Sequence, residues 1–532
     1  MEKGTVSAAT REQHADSVSS ALTNRQPLTA NHFFSSHLAL WLALPIGAAL
    51  SLGFAPFGWW PLGILCLAYL FLAWRYAAPR RAAKFGFLFT ASTFLAGTYW
   101  LYHSIYEIGH APIWVTLIAI LIIAVVMGAY TAIIGYVLTR WIVPDRASAT
   151  GSVLALLVAF PAAWALQEWF RGWFLSGFPW LALGYTHLDT PLAGFAPVGG
   201  VYMVSLVVAA CAGAVALLVT RERRGLIPGA VTIVALWLAG YALWGHEWTQ
   251  PVRKPVSVAI VQGAVPQEMK WDQQQFEATL QLYHDLTQPH LGANIIVWPE
   301  SALAAPQYLL GDYLSREWAE AREAGSSLVL GQLQHEAARD VYFNSVLALG
   351  DEPQWYSKRR LVPLSEFFPI PSFMADWLRG MDLPYSGFEA GARTQPALDA
   401  GGEKVGASIC YEDAYASDQL GVLKQATILV NVTNDAWFGD STAAHQHLQI
   451  SRTRALEAGR FLLRAANDGI SAIIGPDGKV VKTFPRFQPG VLTGTVQPRT
   501  GLTPYALVGN WPVILLSAFA LLLCAYFARR KA

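Results

Sequence analysis

Long apolar runs separated by short polar connections fill the first half of the chain, and one more closes it. A helix needs about 20 mostly apolar residues to cross roughly 30 Å of hydrocarbon. On that rule the pattern predicts eight spans, near residues 38–54, 61–74, 85–102, 113–138, 153–166, 199–219, 227–243 and 508–527. Two are short and lean on flanking aromatics to reach the interface. Residues 1–35 are polar and without periodicity, which predicts a disordered lead. They do not read as a cleaved signal, because the next apolar segment opens a series of spans.

Between residues 252 and 503 the pattern changes to short β-type runs interleaved with helical ones. Strands are expected at 256–262, 294–298, 327–330, 345–349, 406–410, 428–432, 472–474 and 492–496, and helices at 272–286, 312–324 and 445–466. Pro476-Asp477-Gly478 between two apolar runs is a hairpin signal. The mixture predicts an α/β sandwich, sheets inside and helices outside, of one domain's size. The organisation so read is a lead (1–35), a membrane domain holding seven spans (36–248), a water-exposed domain (252–503), and an eighth span with a basic tail (506–532).

Composition supports that division. At 54% hydrophobic and 14% charged, 532 residues are too apolar for a soluble protein. A net charge of +1 supplies no basic field, so no nucleic-acid partner is expected. Basic residues gather in alternate connections: Arg75, Arg80, Arg81 and Lys84; Arg140 and Arg146; Arg221, Arg223 and Arg224; Arg529, Arg530 and Lys531, with Arg171 the exception. The positive-inside rule then places both termini in the cytoplasm and residues 252–503 on the far side, which in a bacterium is the periplasm.

Three of the four cysteines, Cys66, Cys211 and Cys524, fall in spans, leaving Cys410 alone in the water-exposed domain. It ends an apolar run, in Ala407-Ser408-Ile409-Cys410-Tyr411-Glu412-Asp413, where a nucleophile would be presented. Read alone, it is a small buried hydrophobe. Glu300, in Trp298-Pro299-Glu300-Ser301, follows another apolar strand and is a candidate general base; read alone, it is a solvated carboxylate. Lys358, in Tyr356-Ser357-Lys358-Arg359-Arg360, could face a tetrahedral oxyanion and lower the thiol pKa; read alone, it belongs to a surface basic cluster. His445 and His447 lie at i, i+2 and point apart on a helix, so no metal is expected.

In this order the three motifs resemble the Glu-Lys-Cys triad of the carbon-nitrogen hydrolase, or nitrilase, superfamily. Glu366, in Leu364-Ser365-Glu366-Phe367, matches that superfamily's second carboxylate, and the run Asn431-Val432-Thr433-Asn434-Asp435-Ala436-Trp437-Phe438 matches as well. Ser51-Leu52-Gly53-Phe54-Ala55-Pro56-Phe57, the stretch from Gly177 to Tyr185, and Gly200-Val201-Tyr202-Met203-Val204-Ser205 resemble the membrane part of the apolipoprotein N-acyltransferase family. That resemblance implies an αββα sandwich joined to a helical membrane domain in the bacterial inner membrane. It also implies a monomer without cofactor that moves an acyl chain from a phospholipid, phosphatidylethanolamine, to the α-amino group of the S-diacylglyceryl cysteine of an apolipoprotein. The route would be ping-pong, through a thioester on Cys410. Trp271, Tyr411 and Glu412 match positions that handle substrate in the family. Residues 367–391, more apolar than a solvated loop, read either as a mobile arm or lid over an acyl groove or as a loop packed on its own domain. Two other readings are a membrane-tethered amidase or nitrilase acting on a small C–N substrate, which leaves the interfacial aromatics unexplained, and a non-enzymatic scaffold, against which the intact triad counts.

Overall fold

A computed structural model describes residues 30–531 except 147, 222, 271, 364 and 368–386. Trp271, most of the segment 367–391 and the lead up to residue 29 lie outside the described residues. The end of the lead is a correction: Ala30–Ser35 is helical, because Phe34 is buried against Tyr69, Tyr76 and Phe85.

Among the described residues, five helices are long and apolar enough to cross a membrane: Ile113–Ile142, Thr150–Arg171, Pro191–Thr220, Arg223–Leu243 and Trp511–Arg530. His37–Gly53 and Pro61–Tyr76 are apolar but shorter. The third expected span is shifted, running Pro79–Gly97, because Pro79 starts the helix at its first turn and carries Arg80, Arg81 and Lys84 into it. Small residues let these helices approach closely. Gly47 backs onto the Phe89 carbonyl and Gly86 onto that of Thr131, while a Cβ on Gly213 would lie 1.7 Å from the Leu156 carbonyl oxygen.

The strands in chain order are β1 (Gln250–Pro251), β2 (Val256–Gln262), β3 (Ile295–Pro306), β4 (Ser327–Glu336), β5 (Val341–Leu349), β6 (Pro353–Ser357) and β7 (Leu398–Ala400). They continue with β8 (Glu403–Ile409), β9 (Ile428–Thr433), β10 (Leu462–Ala466), β11 (Ala472–Ile474), β12 (Val480–Thr483), β13 (Gly490–Val496) and β14 (Arg499–Thr500). One six-stranded sheet has the order β13-β2-β3-β4-β5-β6 and the other β12-β11-β10-β9-β8-β7, while β1 and β14 pair in a small ribbon. Strand periodicity divides the core. In β3, Ile295 and Val297 face the opposite sheet, while Ile296 and Trp298 face Tyr283 and Leu314 on the helices Gln273–Thr287 and Gly311–Glu323. In β9, Ile428 and Val430 point inward while Leu429 meets Ala455 and Ala458 on the helix Ala443–Ala458. The expected sandwich, helices outside two sheets, is the observed one.

One expected element divides. The pattern at 445–466 predicts a single helix, but the helix ends at Ala458, where Gly459 (φ +61°) turns the chain, and β10 then joins β9 in parallel register.

Candidate active site

Glu300 lies where β3 loses register with β4, between Trp298 and Leu303, and Ser301 beside it has φ +45°. That irregularity turns the carboxylate off the face where its neighbours pack. Lys358 directly follows β6, its backbone N–H donating to the Asn344 carbonyl on β5 at 2.8 Å. Cys410 directly follows β8 in the opposite sheet, half-buried, with φ +48°. A side chain in this left-handed region is strained, and such strain gathers at functional sites.

The buried Lys358 ammonium sits 3.2 Å from Glu300 Oε1 and 2.9 Å from Glu366 Oε1. Asn344 Nδ2 donates to the same two oxygens at 2.8 and 3.0 Å. Two carboxylates are thus held side by side by one cation and one amide. The backbone N–H of Asn434, at the end of β9, donates to Glu300 Oε2 at 2.9 Å, and that of Val362 to Glu366 Oε2 at 2.8 Å. Burial works against the charge on Lys358, but Glu300 and Glu366 outweigh it and its pKa lies well above the ordinary lysine value. The cation is permanent.

At Cys410 the balance runs the other way. Burial first, and the Glu300 carboxylate second, push the thiol pKa well up, while Lys358 and a hydrogen bond with Thr433 pull it down. The expectation that Lys358 would leave the thiol depressed is therefore corrected: Lys358 acts in that direction but loses to desolvation. Cys410 is therefore held as a thiol.

Glu412, matched to a substrate-handling position, is buried and braced within the protein. Its Oε1 accepts from the backbone N–H groups of Arg359 (2.7 Å) and Arg360 (3.3 Å), and its Oε2 from Ile409 N–H (2.8 Å) and the Tyr356 hydroxyl (2.8 Å). It ties the Lys358 turn to the Cys410 turn across the two sheets. Tyr411 lies at the contact with the membrane helices, stacked on Trp180 with centroids 6.2 Å apart and donating to the Gly177 carbonyl at 3.3 Å.

The motif search passed over several residues here. Asn344 reads as one polar residue in an apolar strand, and a buried amide with no visible partner was the available signal. Lys270 donates to the Glu300 carbonyl at 3.0 Å, and burial pulls its pKa down to about 8 against the pull of Glu300 and Asp468. Burial, with Asp435 nearby, raises Asp468 to about 6. Beneath the nucleophile, Asp435 accepts from Arg464 at 2.7 Å and faces His447 at 3.0 Å.

Comparison with known proteins agrees with this arrangement. Residues 46–214 match the apolipoprotein N-acyltransferase N-terminal domain, and residues 257–505 match carbon-nitrogen hydrolase. Relatives named apolipoprotein N-acyltransferase include one from Methylococcus capsulatus, 40% identical over 93% of this chain and 96% of its own. Those from Azotobacter vinelandii and Pseudomonas aeruginosa are each 39% identical over 90% of this chain and 94% of theirs. A likeness of that degree, spanning membrane helices and sandwich together, means that the chain belongs to the apolipoprotein N-acyltransferase family and is an acyltransferase of lipoprotein N-acylation.

Proposed function

We propose that the reaction runs through a thioester on Cys410, with a phospholipid as acyl donor and the α-amino group of a diacylglyceryl-cysteine apolipoprotein as acceptor. The observation that carries this is the Lys358 ammonium held between Glu300 and Glu366, at 3.2 and 2.9 Å, with its charge acting on the Cys410 thiol. Glu300 takes the thiol proton as Sγ attacks the ester carbonyl, and Lys358 faces the oxyanion that forms. The C–O bond then breaks and Glu300 returns the proton to the leaving lysophospholipid alcohol. In the second half-reaction the amine attacks the thioester, Glu300 accepts the amine proton, and the thiol leaves reprotonated. Glu366 and Asn344 keep Glu300 and Lys358 aligned, Glu412 ties the Lys358 turn to the Cys410 turn, and Trp271, Tyr411 and Glu412 are the residues we assign to substrate handling.

Phosphatidylethanolamine is the donor we favour, and we read the enzyme as a monomer without cofactor. The charge pattern of the connections supports an inner-membrane placement with cytoplasmic termini, eight spans and a periplasmic sandwich.

The test is intact mass spectrometry after incubation with phosphatidylethanolamine. A fatty-acyl adduct is expected on the wild type, absent from Cys410→Ala, and discharged by a diacylglyceryl-cysteine peptide that gains an amide. A folded enzyme that forms no adduct yet hydrolyses a small soluble amide would replace this reading with the tethered amidase.

A further inference from the structure

His447 lies directly under the nucleophile, on the helix Ala443–Ala458, and is 1% exposed. Its Nε2 is 3.1 Å from the Cys410 carbonyl oxygen and its Nδ1 is 3.0 Å from Asp435 Oδ1. A carbonyl oxygen can only accept a hydrogen bond. Asp435 is held as a carboxylate: burial opposes its charge, but Arg464 and His447 outweigh burial and keep its pKa well below the ordinary value. Arg464 occupies its Oδ2 at 2.7 Å, and the Thr433 hydroxyl donates to its Oδ1 at 3.1 Å. Both ring nitrogens therefore face acceptors, and a neutral imidazole has one proton to offer.

The surroundings fit a second proton. On the far side of Asp435 lies Arg464 on β10, which Ser451 of the histidine's own helix links to Asp413 in the turn after Cys410. From the membrane side, the Trp180 ring lies 5.6 Å away, centroid to centroid, within cation–π range.

We propose that His447 is a positioning residue, a doubly protonated imidazolium that grips the Cys410 carbonyl and holds the nucleophile in its left-handed backbone conformation. The grip acts where strain is concentrated, since Cys410 has φ +48° and its carbonyl has one further donor, Asn431 Nδ2 at 3.4 Å. It also joins the nucleophile to the membrane domain. The adjacent Gln446 accepts from the Trp100 and Trp180 indoles at 3.1 and 2.8 Å and donates to the Gly97 carbonyl at 3.0 Å, so the helix that carries His447 is anchored between the spans. The proposal rests on Cys410 being the nucleophile, but its first test does not depend on activity.

That test is 15N NMR of the full-length enzyme, histidine-labelled, in detergent, with the His447 signals assigned by their disappearance in His447→Gln. Both ring nitrogens are expected at the protonated position at pH 7.5; one signal at the position of a bare ring nitrogen overturns the charge. The second test is the acylation rate with phosphatidylethanolamine. His447→Phe should lower kcat on the order of 100-fold at unchanged KM, the scale expected of a nucleophile misplaced by about 1 Å. Asp435→Asn should lower kcat in the same way, since it removes the carboxylate that faces Nδ1, and an unchanged kcat in His447→Phe would reduce His447 to a packing residue.

Discussion

The membrane bundle and the sandwich use apolar residues in opposite places. On the bundle, large side chains face outward: Leu117, Leu121 and Ile122, Val234 and Leu238, Leu515 and Leu522 are all more than half exposed, and where the helices meet, the buried positions include Ala155, Ala159, Ala209, Ala212 and Ala216. In the sandwich, Ile295, Val297, Ile428, Val430 and Leu463 are buried between the sheets. Surrounded by hydrocarbon, a leucine gains little by moving inward, so the bundle is held by close backbone approach at small residues. Surrounded by water, the same residue gains about 25 cal/mol per Å² buried. The candidate site sits where the two regimes meet, its polar groups shielded by the sandwich and the helix under Cys410 anchored to Trp100, Trp180 and Gly97 of the membrane domain.

The comparison can be broken at both ends. The largest effect belongs to the chemistry: Cys410→Ala should abolish N-acylated product while leaving thermal unfolding in detergent unchanged, and residual transfer would move the nucleophile elsewhere. Next is Gly213→Val, whose Cβ would collide with the Leu156 carbonyl; a loss of at least about 3 kcal/mol, read as a fall in Tm and in folded yield, is expected. Leu463→Ala in the sheet core should cost about 2–5 kcal/mol, by cavity formation, and should hardly respond to lipid. Equal and mild effects of these two variants would erase the distinction between the regions.

Alkylation of Cys410 by iodoacetamide sharpens the electrostatics. Its raised pKa leaves little thiolate at neutral pH, so the rate should keep climbing through pH 9, beyond the point where a free thiol of pKa about 8.5 levels off. Glu300 raises that pKa and Lys358 lowers it, so at fixed pH Glu300→Gln should speed alkylation and Lys358→Met should slow it, each on the order of tenfold. Both variants should lose acyl transfer. The smallest effect is expected at Leu238→Ala on the outer face of Arg223–Leu243, within about 0.5 kcal/mol by thermal unfolding.

How far the sequence could be read varies with the range of the interaction. Alternation placed β2 and β11 at their observed bounds, while β6, β7, β10 and β12 escaped it: Pro353–Ser357 and Val480–Thr483 are too exposed to show an apolar face, and Leu462–Ala466 follows a helix whose period masks its own. Asp272, the expected first residue of its helix, is its N-cap, and the helix itself begins one residue later at Gln273. Glu412 shows where a motif stops. A motif gave it a place beside the nucleophile but could not say that Arg359, Arg360, Ile409 and Tyr356 would occupy both its oxygens.

By itself, then, the order of residues determined where apolar runs exceed a span's length, which strands alternate, and which three side chains could carry acyl chemistry. Those are properties of single segments, set by local periodicity and by the chemistry of a side chain. Tertiary structure alone decided that the charges of Glu300 and Lys358 from one sheet act on the Cys410 thiol from the other, that Asn344 bridges two carboxylates, and that burial leaves the thiol protonated despite a neighbouring cation. Each depends on groups far apart in the chain brought together and out of water, and neither distance nor desolvation is written in any one segment.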